Sequence, residues 1–293
     1  MIVLYYIWDV RKSILYGDEN NSMFGSIMET SKIYHYNQLS ISYNRVGLET
    51  GKPLIILHGW GSSKQVMMPL AQQLASIRDC YVLDLPGFGN SSIPGHSWTV
   101  GDYADLIEQF IKDLDLEPAD MLVHSFGGRI ALKLCARTEA EEIVNKVLIT
   151  GGAGMKPKRS ASYYFKKYTA KLLKVPFQLL PKALGEPALN KLRQTSLWKM
   201  LGSSDYSKLK GVMRKTFVKT VTEYLEGCLP KIPHEVLLLW GRNDEAAPLY
   251  QAKRMEKGIE NAALVVIDHA GHYAFLDRPS HFVSIAKAFF EGE

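Results

Sequence analysis

Apolar positions fall into two rhythms along this chain. Short, mostly apolar runs occur at 54–57, 80–84, 121–123, 144–150, 237–240 and 264–267. Runs of that length suit strands of a sheet covered on both faces. Between them the spacing changes to that of a helix. Val66, Leu70, Leu74 and Ile77 recur at helical intervals, as do Val100, Tyr103, Ile107, Phe110 and Leu114. Ahead of the first run, Leu39, Ile41 and Tyr43 alternate with polar residues, and Asn37-Gln38 separates them from Lys32–Tyr36. That pattern predicts an antiparallel hairpin. Strands alternating with helices imply a mostly parallel sheet.

The alternation stops at Gly151-Gly152-Ala153-Gly154 and resumes at His234. The stretch between is helix-like, rich in Lys, Leu and Tyr, and interrupted at Pro176, Pro181 and Pro187. The expected fold is α/β, a mostly parallel, doubly wound sheet of about eight strands with an inserted helical cap. Residues 31–151 and 232–293 would form the core, and 152–231 the cap. Residues 1–30 read as an extension outside the core, or in part as an upstream start, with Met23 and Met28 as later ones. Ligands of such sheets bind at the carboxyl ends of the strands, so a cap there would roof the site.

Candidate chemistry sits at those ends. The run Met121-Leu122-Val123 enters His124-Ser125-Phe126-Gly127-Gly128-Arg129. An apolar strand, a serine and glycines opening a helix describe a nucleophile elbow. A nucleophilic serine needs a histidine base, a carboxylate to orient it and an oxyanion hole. Leu237–Trp240 leads into a loop holding Asp244, and Leu264–Ile267 into a loop holding His272. Asp268 and His269 are the competitors for those two roles. The strand at 54–57 ends in His58-Gly59-Trp60-Gly61, whose backbone N–H groups would complete an oxyanion hole with that of Phe126.

Five motifs together resemble the α/β-hydrolase superfamily. They are His58-Gly59-Trp60, Asp84-Leu85-Pro86-Gly87-Phe88-Gly89-Asn90-Ser91, His124-Ser125-Phe126-Gly127-Gly128, Trp240-Gly241-Arg242-Asn243-Asp244 and Ala270-Gly271-His272. The resemblance covers residues 38–291. It implies Ser125 as nucleophile, His272 as base, Asp244 as acid, and Trp60 and Phe126 as oxyanion donors. The implied activity is hydrolysis of a carboxylic ester or related acyl bond. The family's G-x-S-x-G pattern is broken, because Val123 stands at its first glycine. Either a small residue has become valine or one residue has been lost, and bulk there is expected to tilt the following helix or displace the serine.

Arg129 falls one helical turn after Ser125, where it would meet an anionic substrate group or pair with a cap carboxylate. His58 is a second candidate substrate contact, with support of the oxyanion loop as its alternative. Ser125-Phe126-Gly127-Gly128-Arg129 is also similar to the Ser-x-Gly-Gly-Arg of the menaquinone-pathway lyases. A triad-dependent lyase or carbon–carbon bond hydrolase of an anionic substrate is therefore the rival reading. A catalytically weak binding protein on the same fold is the other.

Charge sharpens the division of the chain. Residues 152–231 hold 17 Lys and Arg against 4 Asp and Glu, a local +13 within a net +5. A basic insertion on an acidic body would attract anionic substrates or membrane surfaces. No nucleic-acid motif accompanies it, and no run approaches the ~20 apolar residues of a membrane span. No zinc spacing or nucleotide-binding loop is present, so no metal and no cofactor is implied. The expected partner is a small acyl substrate, with no stable membrane insertion. Cys80, Cys135 and Cys228 are odd in number and far apart, which predicts a reducing, cytoplasmic setting.

Overall fold

The computed structural model describes residues 30–47, 51–158 and 210–292. Strands β1 (Thr30–Tyr36) and β2 (Leu39–Val46) form the expected hairpin, which begins at the last residue assigned to the extension. Then follow β3 (Pro53–Leu57), α1 (Lys64–Leu74), β4 (Asp79–Leu83), α2 (Val100–Asp113), β5 (Ala119–His124) and α3 (Phe126–Cys135). A four-residue helix α4 (Ala140–Ile143) precedes β6 (Val144–Thr150). The last part of the expected insertion holds α5 (Gly211–Thr222) and a 3₁₀ turn at Glu226–Lys231, and β7 (Glu235–Gly241) follows it. Helix α6 (Leu249–Gly258), β8 (Ala262–Ile267), α7 (Ala274–Asp277) and α8 (Pro279–Glu291) complete the chain.

The eight strands form one sheet in the order β1-β2-β4-β3-β5-β6-β7-β8. The β1–β2 and β2–β4 pairs are antiparallel and all the others parallel. Alternate side chains of each strand sort onto two apolar layers, as the twofold period of a strand requires. Ile55, Leu57, Met121 and Val123 face α2 and α3, whereas Leu54, Ile56 and Leu122 face α1 and α8. Both faces are covered, which is why these strands read as unbroken apolar runs. The edge strand β8 is only half-buried along most of its length.

Helix α2 starts with a reciprocal cap. Thr99 Oγ1 accepts from Asp102 N–H at 3.3 Å and Asp102 accepts from Thr99 N–H at 2.6 Å. The chain runs from β3 to β4 on one side and returns to β5 on the other, making β3 and β5 the neighbours at the switch point. The loops after β3, β5, β6, β7 and β8 therefore share one edge of the sheet. Of the expected cap, residues 152–158 and 210–231 are described; the remainder, and residues 1–29, lie outside the described residues.

Candidate active site

Ser125 links β5 to α3 with φ 51° and ψ −102°. A non-glycine residue held there costs about 1–3 kcal/mol and persists only where its surroundings over-determine it. Three backbone hydrogen bonds do so. Ser125 N–H donates to the Thr150 carbonyl at 3.1 Å, and the Ser125 carbonyl accepts from Gly128 N–H at 3.1 Å and Ala153 N–H at 3.0 Å. The helix then leaves through two crowded positions. A Cβ on Gly127 would stand 2.9 Å from both the Cβ and the carbonyl oxygen of Leu57, and one on Gly128 would stand 3.0 Å from Gly152 Cα. An added carbon at 127 would force its neighbours to move, and one at 128 would press tightly on Gly152.

Val123 does not take part in that crowding. It is fully buried in the apolar layer shared with Phe126 and Ile130, and β5 keeps regular pairing there with Leu57 and Ile149. Helix α3 starts at Phe126 without a break. The bulk is taken up by the core, because the tight strand–helix contacts fall at 127 and 128 instead. The one register shift in β5 lies at its other end, between Ala119 and Met121.

The candidate acid Asp244 and candidate base His272 follow β7 and β8. Asp244 is buried, and His272 Nδ1–H donates to its Oδ2 at 2.9 Å. The other carboxylate oxygen accepts from Ala247 N–H at 2.7 Å, while the Ala247 carbonyl accepts from Trp240 Nε1–H at 2.7 Å. The competitors are elsewhere: Asp268 and His269 are exposed, and Asp268 pairs with Arg242 at the surface. Two loops approach closely enough that a Cβ on Gly241 would lie 2.1 Å from the Gly271 carbonyl. Gly151, with φ +55°, packs against His272; a Cβ there would be 2.9 Å from His272 Nδ1. Gly271 N–H donates to Asp277 at 2.7 Å, fixing the His272 loop from behind.

His124 is the residue before the serine and is fully buried. Its Nε2 lies 3.1 Å from the His272 carbonyl, so that nitrogen carries the proton and donates. Its ring centroid is 4.7 Å from that of His272. Burial first, and then the neighbouring His272, hold its pKa well below the ordinary histidine range. A neutral His124 thus joins the Ser125 segment to the His272 loop.

The loop after β3 passes against the serine, with a Cβ on Gly59 reaching 3.1 Å from Ser125 Cβ. Trp60 follows Gly59, and Phe126 is the first residue of α3, whose N–H has no partner within its own helix. His58 supports this loop. Its Nδ1 donates to the Gly59 carbonyl at 2.7 Å and its Nε2 accepts from Leu85 N–H at 3.0 Å. Burial lowers its pKa to about 4, keeping the ring neutral. Both nitrogens of His58 are therefore engaged with backbone. Asp84 braces the same region, accepting from Lys64 N–H at 2.7 Å and Asn90 N–H at 2.9 Å.

Arg129 is buried, and its guanidinium donates to the Glu223 carbonyl at 2.6 Å. The carboxylate of Glu223 goes to Lys133 at 2.8 Å. Arg129 thus meets the backbone of the segment after α5, and the neighbouring lysine takes the charge. Sequence reasoning did not anticipate the Ala247 clasp, the Asp277 brace or the tight approach of Gly241. The Trp-Gly pair at 240–241 was the only signal for any of them.

A family model for the alpha/beta hydrolase fold matches residues 52–279. The chain belongs to that family. Its relatives include the AB hydrolase superfamily protein YisY of Bacillus subtilis (strain 168), 29% identical over 251 residues, covering 82% of this chain and 91% of the relative. The 2-hydroxymuconate semialdehyde hydrolase of Pseudomonas sp. (strain CF600) is 26% identical, with 82% of this chain and 87% of the relative covered. The pimeloyl-acyl-carrier-protein methyl ester esterase of Aeromonas salmonicida (strain A449) is also 26% identical, with 86% and 99% covered. Within this hydrolase fold the strained serine, the Asp244–His272 pair and the β3 loop occupy one edge of the sheet.

Proposed function

We propose that the protein is a serine hydrolase that cleaves a carboxylic ester through Ser125, His272 and Asp244. The observation that carries this reading is the 2.9 Å hydrogen bond from His272 Nδ1 to a buried Asp244, beside a serine held at φ 51°. That bond fixes the tautomer that leaves Nε2 free to accept a proton. His272 takes the proton of Ser125 as its oxygen attacks the substrate carbonyl carbon. The carbonyl oxygen gains negative charge and is held by the N–H groups of Trp60 and Phe126. His272 then protonates the departing alcohol, leaving an acyl group on Ser125. Water, deprotonated by His272, attacks the acyl carbon, and the acid leaves as the serine oxygen recovers its proton.

Relatives named as an esterase and as a hydrolase support the reaction class. Among the described residues Arg129, the candidate contact for an anionic substrate, donates to the Glu223 carbonyl instead. The insertion would act as a cap selecting a small acyl substrate, and the cysteine pattern supports a cytoplasmic setting. The test is Ser125→Ala. It should abolish both covalent labelling by a fluorophosphonate and turnover of a short aryl ester. Full esterase activity in that variant would overturn the mechanism.

A further inference from the structure

Both residues expected to donate to the oxyanion carry aromatic rings, and those rings touch. The Trp60 indole meets Phe126 at a centroid distance of 5.2 Å, edge to face. It meets Phe88 at 4.8 Å and Phe217 at 5.1 Å. These rings come from four places in the chain: the β3 loop, the turn after β4, the start of α3 and helix α5. Phe126 is buried, and its ring continues into the core against Tyr103 at 5.0 Å. Trp60, Phe88 and Phe217 are only half-buried. Among the described residues they form the outer, half-buried end of an aromatic column that rises from the core beside Ser125.

Helix α5 holds Phe217 in place by contacts on either side of it. Trp98 N–H donates to Thr216 Oγ1 at 3.1 Å, and Lys219 Nζ donates to the Ser97 carbonyl at 2.8 Å. Met213 lies so close to Gly87 that a Cβ there would be 2.2 Å from its Cε. Phe217 is therefore presented to Trp60 by a fixed helix. The nearby buried cation, Arg129, is turned to the Glu223 carbonyl.

We infer that Trp60, Phe88 and Phe217 form an apolar wall for the carbon chain of the substrate, and that Phe217 is its specificity-determining residue. The inference rests on Ser125 being the nucleophile, and it makes the preferred substrate an uncharged ester with an apolar chain. Aromatic surface of this kind gains from each methylene it removes from water, about fourfold in kcat/KM when burial is complete. It offers no partner to a carboxylate, which would be desolvated without compensation.

The test compares kcat/KM per fluorophosphonate-labelled Ser125 in two ester series. One varies the acyl chain from acetate to hexanoate on a constant p-nitrophenol, and the other varies the alcohol on a constant acetate. In at least one series the native protein should gain about tenfold or more across four methylenes. Phe217→Ala should flatten that gain to about threefold or less, and Phe217→Leu should restore most of it, since it returns apolar area without the ring. A terminal carboxylate on the same chain should lower the native rate at least about tenfold. Unchanged chain dependence in Phe217→Ala in both series, with Ser125 still labelled, would overturn the wall while leaving the nucleophile standing. An unlabelled Ser125 in the native protein would instead overturn the reading of the site. Should Phe217→Ala not fold, Phe217→Leu against Phe217→Lys decides, with the lysine variant expected to reverse the penalty on the carboxylate.

Discussion

The candidate nucleophile and its candidate acid–base partners are held by different physics. On the Ser125 side, position comes from backbone sterics: a positive φ fixed by three main-chain hydrogen bonds, and glycines pressed against Leu57 and Gly152. On the Asp244–His272 side, position comes mainly from side-chain hydrogen bonds, through Ala247, Trp240, Asp277 and His124. Steric placement has no graded failure, because an added carbon must move backbone. A hydrogen-bonded clasp can lose one member and keep its geometry in part.

The largest expected effect is on the clasp's chemical centre. Asp244→Asn preserves shape but offers His272 an amide, and turnover should fall by about 10³–10⁴-fold with unchanged thermal unfolding. A fall of less than tenfold would assign the orienting role to another group. Next is the steric side. Gly127→Ala places a carbon 2.9 Å from Leu57 backbone and side chain. Turnover should drop about 10²-fold, since a shift of 1 Å costs that much. Stability should fall by about 1–3 kcal/mol in denaturant titration. Native-like values for both would show that α3 moves away without consequence.

A smaller effect tests the link between the two sides. His124→Phe removes the donor to the His272 carbonyl, and His124→Gln keeps one. The first should cost about tenfold in kcat, matching one ordinary hydrogen bond, with the second intermediate. Equal rates in the two variants would leave His124 as packing alone. The smallest effect on rate is expected at Val123. Val123→Gly should leave turnover per labelled Ser125 within about twofold, because the helix contact is made elsewhere. It should still destabilise the fold by about 2–4 kcal/mol through lost burial and strand propensity. A marked gain in turnover would mean that the valine strains the elbow after all.

The sequence carries these two kinds of order unequally. Buried strands announce themselves as apolar runs, and glycines required by close approach stand in motifs, so the sheet, Ser125, Asp244 and His272 are readable as candidates. Val123 misled because a motif names the position where crowding is usual. Here Gly127 and Gly128 meet the neighbouring strand and the Gly152 segment, and the valine side chain enters the core. Bonds such as Asp277 to Gly271, or Arg129 to a carbonyl 94 residues away, depend on tertiary placement and leave no local pattern. The aromatic column is equally hidden, since Trp60, Phe88, Phe126 and Phe217 are scattered until the fold gathers them.

The central claim is that Ser125 becomes acylated. The most direct measurement is mass analysis of the protein quenched in acid during steady-state turnover of a p-nitrophenyl ester, followed by peptide mapping. The predicted result is one acyl group on the peptide containing Ser125, absent from Ser125→Ala. Turnover with no acyl adduct, or with the adduct on another residue, would contradict the account.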